Sequence, residues 1–214
     1  IYTVFISYRV RSEKYHASLL YELLNNTTTP AGHRVIVYLD AKRLIKGEDW
    51  EEGFSKGLLN SLVALPLLSE GVLEPLSQLK GETVDAKDNL AKELIIMQSI
   101  QTYPARKMET IYPLLLGPPC GSSDPRYPAA DTFFSPVVKS ALASLVAKPS
   151  PPTAQAAAEF LRRHGLGAAA DAAEAVSVKA LVEGLLARQG AELGDHGSSL
   201  VSEVISEDSE LWKQ

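Results

Sequence analysis

The stretch Leu62-Val63-Ala64-Leu65-Pro66-Leu67-Leu68 decides the fold. It offers no polar face at either parity. A strand with one side in water alternates apolar and polar residues, so a run apolar at every position fits a strand covered on both sides, as in a parallel sheet. Pro66 counts against a central place for it, because proline has no N–H to give to the ladder.

Working outward, the neighbours have the punctuation of alternating strands and helices. Upstream, Val4-Phe5-Ile6-Ser7-Tyr8 is a β-branched and aromatic run and predicts a strand. Ser12 is a candidate N-cap. After it His16, Leu19, Leu20, Leu23 and Leu24 recur at helical spacing until Asn25-Asn26 and the Thr-Thr-Thr-Pro stretch end the helix. Val35-Ile36-Val37-Tyr38-Leu39 predicts a second strand, and residues 40–49 a charged loop. A helix carrying Trp50, Phe54, Leu58 and Leu59 on one face leads into the run at 62–68.

Downstream, residues 70–87 are polar and contain glycine. Asp88 is a good N-cap for a helix to about Gln101. Thr110-Ile111-Tyr112-Pro113-Leu114-Leu115-Leu116 predicts a fourth strand, residues 117–130 a proline-rich loop, and 136–147 a helix. Strands joined by single helices predict an α/β fold, a parallel sheet with helices on both faces. Ligands of such sheets bind at the carboxyl ends of the strands, which directs attention to the loops after Tyr8, Leu39 and Leu68.

Pro149-Ser150-Pro151-Pro152 marks a boundary between 1–148 and an Ala-rich helical extension at 149–214. In the extension, 154–164 reads as a helix stopped by Gly165. Val178, Leu181, Val182, Leu185 and Leu186 form one apolar stripe. These helices are too few for a core of their own and are expected to pack on the first domain or on a partner. Phe160-Leu161 with Gly165-Leu166 resembles the start of a sterile alpha motif, but the stretch is too short for a whole one.

The 214 residues are 45% hydrophobic and 22% charged, an ordinary globular composition that rules out wholesale disorder. Net charge is −5. Residues 191–214 hold six acids against Lys213 alone and account for the whole excess. The remaining body is neutral, so nothing supports a strong electrostatic hold on nucleic acid. Cys120 is the only cysteine, so no intrachain disulfide forms and a reducing, cytoplasmic setting fits. No apolar run is long enough to span a bilayer. The chain opens directly in a strand with no signal peptide, and is expected to be a piece of a longer protein.

Common chemistry is missing. There is no P-loop, no Gly-x-Gly-x-x-Gly after the first strand and no nucleophile elbow at Ser69. His16, His33, His164 and His196 show no metal-ligand spacing, so no metal is expected.

A distributed pattern remains. Phe5-Ile6-Ser7-Tyr8-Arg9 ends the first strand. Asp40, Leu44, Gly47, Trp50 and Phe54 follow the second. Leu65-Pro66-Leu67-Leu68-Ser69 ends the third, and Asn89-Leu90-Ala91-Lys92-Glu93-Leu94 opens the next helix. Together, over about residues 3–148, they resemble the Toll/interleukin-1 receptor (TIR) domain family. The resemblance implies a flavodoxin-like five-stranded parallel sheet, whose remaining strand would fall within 117–134. It also implies self-association through the loop at 40–49, with other TIR domains as partners.

Some members of that family are scaffolds without catalysis, and others cleave NAD to nicotinamide and an ADP-ribose product, linear or cyclic. The resemblance to the enzymatic members places their glutamate at Glu93, four residues after Asn89. It implies NAD as a substrate, no prosthetic group, and signalling of the innate-immune or cell-death type. The chemistry is consistent with one carboxylate. Nicotinamide leaves from NAD as a neutral base without a general acid, and a fixed carboxylate stabilises the oxocarbenium ion left on the ribose.

Other positions follow from the same resemblance. Tyr8 and Arg9 end the first strand where adenine or phosphates would lie. Arg9 is either a pyrophosphate ligand or a surface cation. Relatives carry a second basic residue after it; here Val10 stands there and Arg11 follows. Arg43 faces the ligand or a neighbouring subunit. Trp50 stacks on a base or packs beside Phe54. Ser69 bonds a ribose or caps a strand end.

Overall fold

The computed structural model describes residues 2–43, 50–77, 88–103, 108–116, 136–143, 145, 151–186 and 191–192. The strand β1 (Tyr2–Ser7) leads to α1 (Val10–Asn25), β2 (Val37–Tyr38), the short α2 (Asp40–Arg43) and α3 (Trp50–Leu59). Then come β3 (Ser61–Leu68), α4 (Glu70–Ser77), α5 (Asn89–Gln101), β4 (Thr110–Ile111) and β5 (Leu114–Leu115). The chain continues through α6 (Pro136–Ala143), α7 (Pro151–Arg163), α8 (Gly167–Glu174), α9 (Val178–Leu186) and β6 (Ala191–Glu192).

The strands run β2-β1-β3-β5-β6, with β4 also beside β3, and every pairing is parallel. The expected α/β class, a doubly wound parallel sheet with helices on both faces, is the observed one. Strand residues alternate between two apolar clusters. Val4, Ile6, Val63, Leu65 and Leu67 pack with Ala17, Leu20 and Leu24 of α1. Phe5, Ala64 and Leu68 face Phe54, Leu58, Leu94 and Met97 on the other side. Each such side chain contributes roughly 1.5–3 kcal/mol on burial.

β3 is central despite Pro66, which corrects the expectation drawn from that residue. The carbonyls of Ala64 and Leu68 accept from Tyr112 and Leu116 on the β4–β5 side. Residue 66 shares their parity and, in the same register, lies opposite Pro113. In a parallel ladder its missing N–H is the one that would reach the Tyr112 carbonyl. The ladder parts at that point, so the single expected strand over 110–116 becomes β4 and β5. One lost bond is outweighed by a strand buried on both faces.

Other boundaries shift too. α1 begins at Val10, with Arg9 as N-cap rather than Ser12, and Glu13 reaches back to accept from the Arg9 N–H at 3.0 Å. Residues 40–43 are helical rather than loop, with the N–H groups of Lys42 and Arg43 bonded to the Leu39 carbonyl. The polar segment after Ser69 starts with α4. The strand expected within 117–134 lies outside the described residues. Beside β5 stands β6, drawn from the segment read as an acidic tail, with Leu114 opposite Ala191.

The extension packs on α5. Asp88 caps α5 by accepting from the Ala91 N–H at 2.8 Å. The helix NLAKELIIMQSIQ is apolar nearly all round, and Leu90, Leu94, Ile95, Ile96, Met97 and Ile100 are all buried. A helix of that kind needs cover on its outer side as well. α7, α8 and α9 supply it, and Phe160, Leu161, Leu181 and Leu185 join the same cluster as Phe54. Phe160 meets Phe54 at 5.7 Å between ring centroids, and Gln98 donates to the Leu181 carbonyl at 3.1 Å. Gly165, at φ 73°, ends α7 in the left-handed region that favours glycine.

Candidate active site

The chain passes from β1 outward to β2 and then back across β1 to β3. The strand order therefore reverses between β1 and β3, where doubly wound sheets open a crevice at their carboxyl ends. A cleft of about 340 Å³ lies there, lined by Tyr8, Arg9, Val10, Asp40, Asp88, Asn89, Leu90 and Glu93. A narrow continuation runs inward between Phe5, Ile6, Tyr8, Asp40, Phe54 and Glu93.

Three consecutive residues at the end of β1 each hold a different carboxylate. Ser7 Oγ donates to Glu93 Oε2 at 2.7 Å. Tyr8 OH donates to Asp40 Oδ1 at 2.8 Å. Arg9 Nη2 donates to Asp88 Oδ2, also at 2.8 Å. Successive side chains on a strand diverge, so three adjacent residues reach the middle of α5, the start of α2 and the N-cap of α5. Behind them, the buried Glu13 accepts from Ser69 Oγ and from the Arg9 N–H. It ties the end of β3 to the start of α1.

The electrostatics follow from this crowding. Burial is the largest cause pushing the Glu93 carboxyl up, to about 8. The Ser7 hydrogen bond opposes it, the charges of Asp40 and Asp88 add to it, and Lys92 pulls the other way. Glu93 is half-buried and lines the cleft, and the protein packed around it makes loss of water the largest influence on its carboxyl. The Tyr8 hydroxyl is held well above the usual phenol range, first by burial, then by its bond to Asp40 and the charges of Asp40 and Glu93.

Of the residues singled out in the sequence, Glu93, Tyr8 and Arg9 line one cleft. Val10, standing where relatives carry a second cation, lines it too and is 58% exposed. Arg43 is drawn elsewhere. Its Nε donates to the Val37 carbonyl at 3.1 Å, Nη2 reaches Asn25 at 3.4 Å, and the guanidinium lies 5.8 Å from the centroid of the Tyr21 ring. Ser69 is engaged by Glu13 and does not line the cleft. Trp50 opens α3, but its side chain lies outside the described residues, as do Leu44 and Ile45 of the predicted loop tip.

Asp40 and Asp88 were not singled out as site residues. Asp88 carried a signal, because it is an N-cap beside a strand-end cleft. Asp40 follows the second strand, at one of the carboxyl ends where ligands bind. Among the described residues, no group of three His, Cys, Asp or Glu side chains is placed to hold a metal ion. Among the same residues no helix is long and apolar enough to cross a membrane.

A half-buried carboxyl group lining a partly polar cleft, with neighbouring carboxylates and, among the described residues, one lining arginine, suits a ligand with a cationic reacting centre. No protein-family model and no curated protein matches the chain. Among solved structures, the chain is similar to the TIR domains in the structure of the activated Roq1 resistosome directly recognizing the pathogen effector XopQ. The two are 13% identical, with a TM-score of 0.48 over 95% of this chain and 97% of the other.

Proposed function

We propose that this chain is a TIR-type NAD glycohydrolase that releases nicotinamide and leaves ADP-ribose or its cyclic form. The observation that carries the reading is the half-buried Glu93 carboxylate, which lines a strand-end cleft and is held by Ser7. Approach of the pyridinium cation favours the ionised form of Glu93, and the oxocarbenium ion that follows draws on the same charge. Ser7 fixes the orientation of that carboxylate. Arg9 reaches the dinucleotide phosphates once Asp88 yields it.

The enzyme is expected to act in the cytoplasm, in immune or cell-death signalling, with NAD as substrate and a second copy as partner. One observation favours a second reading, a non-catalytic scaffold. Tyr15, Leu19 and Leu23 form a stripe along α1 and are 74%, 41% and 37% exposed, a face suited to another protein. Nicotinamide release from NAD by concentrated, clustered protein decides between them. Release that is lost in Glu93→Gln supports the enzyme. No release by the clustered wild type leaves the scaffold.

A further inference from the structure

The cleft is lined by a second carboxylate beside the one already assigned. Asp40 lines both the open cleft and its narrow continuation, and Glu93 lines both with it. A group held at Glu93 is therefore bounded by Asp40 as well. Asp40 is also fixed in place. Its Oδ1 accepts from Tyr8 OH at 2.8 Å and from the Ala41 N–H at 2.6 Å. Among the described residues nothing bonds to Oδ2.

We propose that Asp40 is a catalytic residue of this site, the general base that takes the proton from the attacking water, with Tyr8 as its positioning residue. The inference rests on the NAD glycohydrolase reading. The step balances as follows. The bond from ribose C1′ to the nicotinamide nitrogen breaks, and its electron pair neutralises the pyridinium, which leaves as nicotinamide. The water oxygen bonds to C1′. Its proton passes to Asp40 Oδ2 and then to solvent, so ADP-ribose, nicotinamide and a proton are the products.

The division of labour has a physical basis. Both side chains bound one cleft, and the charge of Asp40 is one cause of the raised Glu93 carboxyl. Glu93, bonded by Ser7, is committed to the ribose cation. Asp40 is pinned through Oδ1, and among the described residues no bond engages its Oδ2, the oxygen assigned to the nucleophile. A base must lie within hydrogen-bond reach of the proton it abstracts, directly or through one water. A water between Asp40 and a ribose at Glu93 satisfies that condition.

The test uses Asp40→Asn, which keeps the shape and an oxygen for Tyr8 and Ala41, beside Tyr8→Phe and Glu93→Gln. Nicotinamide release from NAD is followed with and without added azide, an anion that attacks C1′ without needing a base. Asp40→Asn is expected to lower kcat about a hundredfold. Azide should restore nicotinamide release and appear in a ribosyl azide product. Tyr8→Phe should show a smaller loss, and azide should leave Glu93→Gln unchanged. Asp40→Asn turning over within about twofold of wild type overturns the assignment. So does a folded, slow Asp40→Asn that does not respond to azide, since a merely structural defect is not rescued by a nucleophile. Either result beside an active wild type leaves the glycohydrolase reading intact. A clustered wild type that releases no nicotinamide removes both.

Discussion

The Ser7 hydroxyl donates to the Glu93 carboxylate at 2.7 Å across 86 positions of chain. The bond joins the last residue of β1 to the middle of α5, and through them the sheet to the helix wrapped by the extension. It is also the largest influence opposing the burial that pushes Glu93 up to about 8.

Glu93→Gln keeps the size of the side chain and removes its charge. If the carboxylate stabilises an oxocarbenium ion, its loss should cost on the order of 3 kcal/mol of barrier, a hundredfold or more in kcat. Wild-type turnover in this variant, measured by nicotinamide release, refutes the assignment.

The activity should rise with pH. The form of Glu93 needed for catalysis is the ionised one, so kcat/KM is expected to climb to a plateau above about 8. Ser7→Ala removes an influence that lowers the Glu93 value and should move the rising limb to higher pH. A limb that stays in place in Ser7→Ala would count against Glu93 as the titrating group.

Stability should run the opposite way. The folded state holds the Glu93 proton more tightly than the unfolded chain does, with a carboxyl at about 8 against 4.5. This contribution is full below pH 4.5 and is lost as pH rises through 8. Glu93→Gln takes up no proton on folding and should flatten that slope. At neutral pH the variant should gain on the order of 3 kcal/mol, roughly 6–12 °C in Tm for a chain of this size. Thermal melts of both proteins across this pH range provide the check.

Arg9 and Asp88 form a half-buried pair, with side chains 22% and 11% exposed. Arg9→Ala should raise KM for NAD more than it lowers kcat. Asp88→Ala should cost more stability, because the same side chain caps α5; loss of a cap costs about 1 kcal/mol. Asp88→Asn keeps the cap and should recover most of that loss in a denaturant titration.

Leu181 and Leu185 are wholly buried on the cluster that includes α5. Replacing either with Ala should cost about 2–5 kcal/mol. Placing Lys at both should unfold α5 together with the extension rather than leave the sheet intact. Hydrogen exchange along residues 89–101 distinguishes these outcomes. Protection that persists there in the double Lys variant means that the extension is not needed by the fold.

The sequence by itself determined what depends on near neighbours. The run at 62–68 announced a strand covered on both faces, Asp88 a helix start, and Gly165 a helix stop, because each turns on the periodicity or dihedral freedom of a few residues. The resemblance to TIR domains picked out Glu93, Tyr8 and Arg9, and the strand-end rule pointed to the loop after Tyr8. The tertiary structure decided the rest. Whether Pro66 excludes a central place depended on which neighbour its missing N–H would face. Arg43 turned to α1 and the Val37 carbonyl, and nothing in residues 40–49 states where α1 lies. Asp40 and Glu93 line one cleft because β2 and β3 flank β1. The apolar outer side of α5 was visible in its composition, but that the extension covers it is a matter of long-range packing. Local rules fix which residues form an element; a site is made of distant residues, and their meeting is settled by strand order and by the burial that selects it.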